Sequence, residues 1–340
     1  MGYSLAKIAK ELGISKTTVS FVLNGKAEEH RVSKEMQKKI LTFCRDINYS
    51  VNIHAQRMNR KKSGVIGILL YPGELRRLDN PLSDENTANI VGGIMNSARK
   101  RNYRFLIDVV TPETSIDQIS DWFKSKEIDG LIYYGFIMPD DWRKRIIKEK
   151  FNIVGIGEDP SCKLPSVNVD NYKASFLLTN KLLEKGLKAF RYLRGTGTSY
   201  SGNERYRGFK DALSEAEIKY KDNKKDFAFF KEKLAMKWTK KEFLSGSPRA
   251  EVVMCENDNM AIGVITELQK NGISVPEAVA VTGADDIRMS SYLNPSLTTY
   301  SMCPMDLGSK AFEQLFKSIN GETVTTHVCL SSEVIIRESS

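Results

Sequence analysis

Apolar positions in the first sixty residues recur at helical steps. Leu5, Ile8, Ala9 and Leu12 fall at i, i+3, i+4 and i+7, giving one apolar stripe on a helix of about two turns, with Lys7, Lys10 and Glu11 outside it. Gly13 tolerates the positive φ of a sharp turn, and Ser15 is placed to cap a second helix whose Val19, Val22 and Leu23 face back inward. Lys16, Thr17, Ser20 and Phe21 are left on its outer face. This pattern predicts a helix-turn-helix that could lay short polar groups and a cation in a major groove, although any two-helix corner shares the spacing. After a polar loop, Ser33 caps a third helix in which Met36, Ile40, Phe43 and Ile47 repeat, completing a three-helix head over 1–50.

From Val65 the pattern changes to short apolar runs alternating with helix-period segments, which predicts parallel α/β organisation. Strands read at Val65 to Tyr71, Phe105 to Val110, Leu131 to Tyr134 and Ile153 to Ile156. Helices between them contain Ile90, Ile94 and Ala98, then Ile119, Trp122 and Phe123, then Trp142, Ile146 and Ile147. A second set follows: helix Ser175 to Glu184, strand Phe190 to Leu193, helix Glu204 to Ala216, strand Val252 to Cys255, helix Met260 to Lys270 and strand Val279 to Thr282. Two such halves leave a cleft at the carboxyl ends of their strands, where open α/β sheets bind ligands.

Charge sharpens the reading of the head. The 340 residues carry 51 Lys+Arg against 42 Asp+Glu, and residues 1–62 alone hold 13 basic and 5 acidic side chains, so +8 of the net +9 sits there. That is the footprint a phosphate backbone requires, whereas a merely soluble surface would spread the excess. No apolar run is long enough to span a bilayer and no charged-then-apolar leader opens the chain, so a cytoplasmic protein with no membrane partner is expected. Cys44, Cys162, Cys255, Cys303 and Cys329 lack a CxxC pair, and His30, His54 and His327 are scattered. These suit packed thiols better than disulfides or a metal, and no cofactor is expected.

Residues 51–62 read as a hinge. NIHAQRMNRKK has too few apolar residues to fold alone, but it could become helical when two copies meet on DNA, with Met58 as a minor-groove wedge and Arg57, Arg60, Lys61 and Lys62 on phosphates. The alternative is a basic linker with a stray methionine.

Helix-turn-helix, third helix, Asn-Tyr, basic hinge and the strand VIGILLY together resemble the lactose-repressor (LacI-type) family of transcription regulators. The resemblance runs through TTVSFVLNG, INYSVNIHAQRM, SGVIGILL, SVNVDN, ERYRGF, ENDNMAIG, VTGADDI, LTTYS and EVIIRES, and so covers essentially the whole chain. It implies an α plus α/β architecture: the head, the hinge, and a periplasmic-binding-protein-like body over 63–340 with two subdomains of parallel sheets flanked by helices. The first subdomain would span about 63–160 and 299–323, the second about 161–298 and 324–340, with crossings near Asp159 to Pro165, Ser296 to Tyr300 and Gly321 to Thr326. The helix Met305 to Ile319 would return to the first half.

The same similarity implies site residues. Lys16 and Thr17 would read bases, with Thr18, Ser20, Phe21, Asn24, Arg57 and Met58 completing the DNA contacts on a palindromic double-stranded operator. Arg205 in ERYRGF and Asp285 in GADD would face each other across the effector cleft, joined by Asn257 and, from the loop Ser199 to Ser201, Tyr200. An arginine fork and a carboxylate suit a polyol, so a sugar or sugar derivative is the expected effector. A homodimer is expected, since no heptad tail follows.

Four departures stand out. Phe21 occupies a position where many members place an arginine that reads guanine, and it offers only apolar contact. The loop KAEEHR before Val32 is longer than usual, and Val51 stands where proline is frequent. In the first half, Asn80-Pro81-Leu82 replaces an Asn-Pro-Phe step, so Tyr133, Tyr134 or Phe136 would have to supply an aromatic face.

Two other classes compete with the regulator. An enzyme on the same body lacks support: there is no GxSxG, no P-loop and no GxGxxG after the first strand, and GTGTSYSG near Gly195 lacks the lysine of a phosphate cradle. A periplasmic sugar receptor would need a leader that is not seen and would have no use for the basic head, so both features argue against it.

Overall fold

The computed structural model describes residues 3–23, 25–49, 62–71, 80–244 and 250–340. Contacts divide the chain into two compact units, Met1–Ser63 and Gly64–Ser340. The expected DNA contacts Asn24, Arg57 and Met58, and nearly all of the expected hinge, lie outside the described residues.

In the first unit, helices α1 (Leu5–Leu12), α2 (Lys16–Leu23) and α3 (Lys34–Asp46) close around Ile8, Val19 and Ile40, each fully buried. Local chemistry sets the boundaries. Ser4 Oγ accepts the Lys7 N–H, Gly13 ends α1 at φ +65°, Ser15 Oγ accepts the Thr18 N–H at 2.9 Å, and Ser33 Oγ accepts the Met36 N–H at 3.2 Å. Each cap satisfies a backbone donor that the helix itself cannot, a contribution of about 1 kcal/mol apiece.

The second unit is two lobes. The first is a six-stranded sheet of β1 (Val65–Leu70), β2 (Arg104–Val109), β3 (Gly130–Tyr134), β4 (Ile153–Ile156), β5 (Ser166–Val169) and β10 (His327–Leu330), all parallel, in the order β10-β5-β4-β3-β1-β2. Helices α4 (Glu85–Lys100), α5 (Ile116–Lys124), α6 (Asp140–Glu149) and α11 (Pro304–Ile319) flank it. Ile66, Ile68 and Leu70 meet Ile90, Ile94 and Phe312 on one face, while Val65 and Leu69 meet Ile119 and Ile146 on the other. Both faces are therefore covered, as a parallel sheet requires. The helices α4 and α11 cross at two glycines: a Cβ at Gly93 would fall 2.1 Å from the Met305 carbonyl oxygen, and one at Gly308 would fall 2.0 Å from that of Ile90.

The second lobe holds α7 (Asn171–Glu184), β6 (Phe190–Leu193), α8 (Tyr200–Glu215), α9 (Glu232–Trp238) running on as a π turn over Thr239–Phe243, β7 (Val252–Cys255), α10 (Asp258–Lys270) and β8 (Ala280–Thr282). Its strands pair in the parallel order β6-β7-β8, and β9 (Thr299–Tyr300) pairs antiparallel with β11 (Val334–Ile335). No helix among the described residues is long and apolar enough to cross a membrane.

The lobe boundaries differ from those expected. Ser166–Val169, assigned by sequence to the second subdomain, is an interior strand of the first sheet, and His327–Leu330 joins it there. The passages between lobes therefore fall after Val169, between Tyr300 and Pro304, and between Leu330 and Val334. The cause is backbone pairing: the Ser166 N–H donates to the Thr326 carbonyl at 2.8 Å and the Asp170 N–H to that of Leu330 at 2.9 Å, while Gly155 donates to Pro165 at 2.9 Å. Buried strand edges left without partners would each cost a hydrogen bond, so the sheet recruits both segments.

Candidate functional site

In the head, Lys16 and Thr17 are exposed at the start of α2, and Thr17 and Phe21 share one face a turn apart. Thr18 is less available than expected, because its hydroxyl lies 2.8 Å from Ser15 Oγ as part of the cap. Phe21 does not stand alone either. Its ring is stacked on His30 from the long loop, with centroids 3.4 Å apart and planes 8° from parallel. Ser20 is partly buried on the same helix.

In the body, the polar cluster at the lobe boundary begins with α8. Ser199 caps the helix by accepting the Gly202 N–H at 2.9 Å, and this fixes the turn that carries Arg205 inward. Arg205 is buried. Its Nε donates to Asn171 Oδ1 at 2.8 Å, Nη1 donates to the Glu256 carbonyl, and Nη2 lies 3.2 Å from Met302 Sδ and 3.6 Å from Asp285 Oδ1. The expected pair of Arg205 and Asp285 is thus brought together.

The loop that presents Asp285 is pinned from below. Asp258 accepts from the Ile287 N–H and from the Ser290 and Thr299 hydroxyls at 2.6–3.0 Å, and Arg337 holds Asp286 at 2.7 Å. Asp285 itself sits at φ +125°, a conformation that L residues rarely adopt, with its N–H donating to the Tyr300 carbonyl at 2.9 Å. Strain of this kind concentrates at ligand sites. Burial pushes the Asp285 carboxyl well above the ordinary carboxylate range, with the Arg205 guanidinium pulling the other way.

The first lobe closes the cluster with residues that sequence reasoning missed. The buried Asn86, in the first turn of α4, lies near enough to Asp285 to favour its charged form. Asp84 caps that helix by accepting the Thr87 N–H at 2.8 Å, and Glu85 Oε1 accepts the Arg288 N–H at 2.8 Å from the opposite lobe. Of the three candidate aromatics, Tyr134 is the one on the cluster's side: burial raises its pKa, the charges of Asp84 and Asp285 add to this, and Arg205 and Thr87 act against it. Tyr133 points to the other face of the sheet and donates to Glu158 Oε2 at 2.8 Å, while Phe136 packs on Tyr133 and Tyr71. The signal available in sequence was the helix-start pattern Asp84-Glu85-Asn86-Thr87, which reads as a cap and not as a site.

Asn257 and Tyr200 divide. Asn257 is buried beside the cluster, where its Oδ1 caps α10 by accepting the Met260 N–H at 2.9 Å and its amide nitrogen makes no bond among the described residues. Tyr200 lines a separate small crevice with Asp170, Tyr172, Glu204 and His327 at the lobe crossings, and Arg205 and Asp285 are not among its walls. Next to Arg205, Glu256 is 1% exposed. Its Oε2 accepts the Gly195 N–H at 2.6 Å, whereas Oε1 has no partner among the described residues, and burial raises its pKa.

A basic helix-turn-helix head joined to a two-lobed α/β body with a charged interlobe cluster defines a class, the DNA-binding regulator that answers to a small ligand. Comparison with known proteins gives the family. Residues 4–52 match the sequence family described as bacterial regulatory proteins, lacI family, and residues 179–340 match a periplasmic binding protein-like domain. The HTH-type transcriptional regulator RegA of Clostridium saccharobutylicum is 29% identical over the full length of both chains. The NTD biosynthesis operon regulator NtdR of Bacillus subtilis is 25% identical over 99% of each. In fold, the chain is similar to the lac repressor dimer bound to operator and the anti-inducer ONPF (TM-score 0.84, 20% identity, 100% of this chain and 99% of that one). It is also similar to the transcriptional regulator CelR in its cellobiose complex (TM-score 0.73, 21% identity, 99% and 100%). Residues 4–52 thus form a lacI-family head, and the chain is a ligand-responsive, DNA-binding transcription regulator.

Proposed function

We propose that this regulator represses carbohydrate-related genes as a homodimer on a palindromic operator, and that a sugar or sugar derivative in the interlobe cleft sets its affinity for that operator. The observation that carries the reading is the buried Arg205–Asp285 pair, 3.6 Å apart, reached from the first lobe by Asn86 and Tyr134. A guanidinium fork donates to sugar oxygens, a carboxylate accepts from two adjacent hydroxyls, and a tyrosine ring gives an apolar face for a pyranose. The amide of Asn257 is a fourth polar group. CelR, which is similar in fold, has been solved as a cellobiose complex.

The mechanism is a population shift. The bond from the Arg288 N–H to Glu85 links the two lobes directly. A ligand that bridges Arg205 and Asp285 to the α4 N-terminus favours one closure over another, and it changes operator affinity only by the ratio of its affinities for the two. On DNA, Lys16, Thr17, Ser20 and Phe21 would meet base edges, with Asn24, Arg57 and Met58 completing the contact. The test is a thermal-shift panel of neutral sugars, sugar phosphates, uronates and nucleobases on the full chain. Saturating ligand at about 100 times its Kd contributes roughly 2.7 kcal/mol, enough to raise Tm by about 4 °C in a body of this size. A response confined to nucleobases would refute the sugar assignment.

A further inference from the structure

The long loop between α2 and α3 brings a histidine onto the recognition helix. Lys26 N–H donates to the Phe21 carbonyl at 2.8 Å, so the chain leaves α2 in a defined direction. Ala27 is buried in the head core and its carbonyl accepts the Val32 N–H at 2.8 Å; between these anchors, the His30 N–H donates to the Lys26 carbonyl at 3.2 Å and that of Arg31 to Glu28 at 3.1 Å. Residues 26–31 therefore form a tight, helix-like turn. Arg31 ends it at φ +54°. The turn lays the exposed His30 ring flat on Phe21, centroids 3.4 Å apart.

Phe21 by itself has no hydrogen-bonding atom, and its position one turn beyond Thr17 is on the face expected to read bases. The imidazole supplies what it lacks. From the stacked geometry we infer that Phe21 and His30 act as one composite reader, Phe21 as the platform and His30 as the polar edge, which donates a ring N–H to the N7 acceptor of a purine in the major groove. This rests on the DNA-binding reading of the α2 face given above.

The experiment is selection from a randomised duplex pool by the full-length chain, followed by binding titrations on the selected site and on random duplex. Wild type should enrich a site with a strongly preferred purine at one position of each half-site. His30→Ala should lose that preference alone, bind the selected site about 10-fold more weakly, and bind random duplex as before. Phe21→Leu retains an apolar side chain in the head but removes the aromatic platform, and it should lose the same position. The double variant should be no worse than either single one. An unchanged preference in His30→Ala, equal weakening on all sequences as for a phosphate contact, or losses at different positions in the two variants would overturn the composite reader. A wild type that enriches no sequence would overturn the DNA-reading assignment itself.

Discussion

Replacing Arg205 by alanine removes the hub of the interlobe cluster, and the structure sets the size of the effect. The side chain is 8% exposed, and its removal loses the bonds to Asn171 Oδ1 and to the Glu256 carbonyl and leaves Asp285 buried without its counter-ion. Breaking one partner of a buried pair costs about 3–5 kcal/mol. At ~2.1 cal/mol/K per residue over the roughly 280 residues of the second unit, unfolding entropy is about 0.6 kcal/mol/K, so Tm should fall by about 5–8 °C at neutral pH. The loss should depend on pH in a definite direction. Arg205 holds the Asp285 pKa down against burial, so in the variant that pKa rises further. A carboxyl with a raised folded-state pKa is most stable protonated, hence the deficit should shrink as pH falls toward about 4, near the unfolded carboxylate value. Differential scanning calorimetry of both chains from pH 4 to 8 measures this. Operator binding without ligand should persist, because the head is a separate unit, while the change in operator affinity caused by a panel hit should be lost. A variant with unchanged Tm and an intact ligand response would refute the reasoning.

Two further predictions follow from the same cluster and the lobe beneath it. Glu256→Gln replaces a buried carboxyl whose pKa burial raises; the wild-type group is costly when ionised and harmless when protonated, so the variant should melt higher at neutral pH, and the gain should vanish toward pH 4. A variant less stable than wild type at pH 7 would contradict this. Gly93→Ala forces a methyl against the Met305 backbone carbonyl, where no side chain can give way, and should cost about 1–3 kcal/mol, or about 2–5 °C by the same conversion, with weaker ligand binding because α4 carries Asn86 and Thr87. Unaltered melting would show that the α4–α11 crossing relaxes freely.

The helical head was legible because its signals are local. The apolar stripe of α1, Gly13 and the caps Ser15 and Ser33 each act within four residues, and the structure uses all of them. Most strands of the body were legible as short apolar runs. Which sheet they join was not: Ser166 meets His327 across 161 residues of chain, at 2.9 Å between side chains, and no local pattern encodes that pairing. In the cleft, Arg205 and Asp285 came from family motifs. Asn86 and Thr87 sit in a stretch that reads as a helix start, and the choice among Tyr133, Tyr134 and Phe136 needed the parity of β3, which sends adjacent side chains to opposite faces. The Phe21–His30 stack depends on how a loop of unusual length folds back, which residue spacing does not disclose.

The central claim, that a small molecule held between the lobes governs DNA affinity, is tested most directly by titrating the full chain on its selected operator with and without a saturating hit from the sugar panel. The account predicts a change in operator Kd of about 5- to 150-fold, with the reciprocal change in ligand Kd when operator is present. A ligand that binds with equal affinity to the free and operator-bound protein, and leaves operator Kd unmoved, would contradict it.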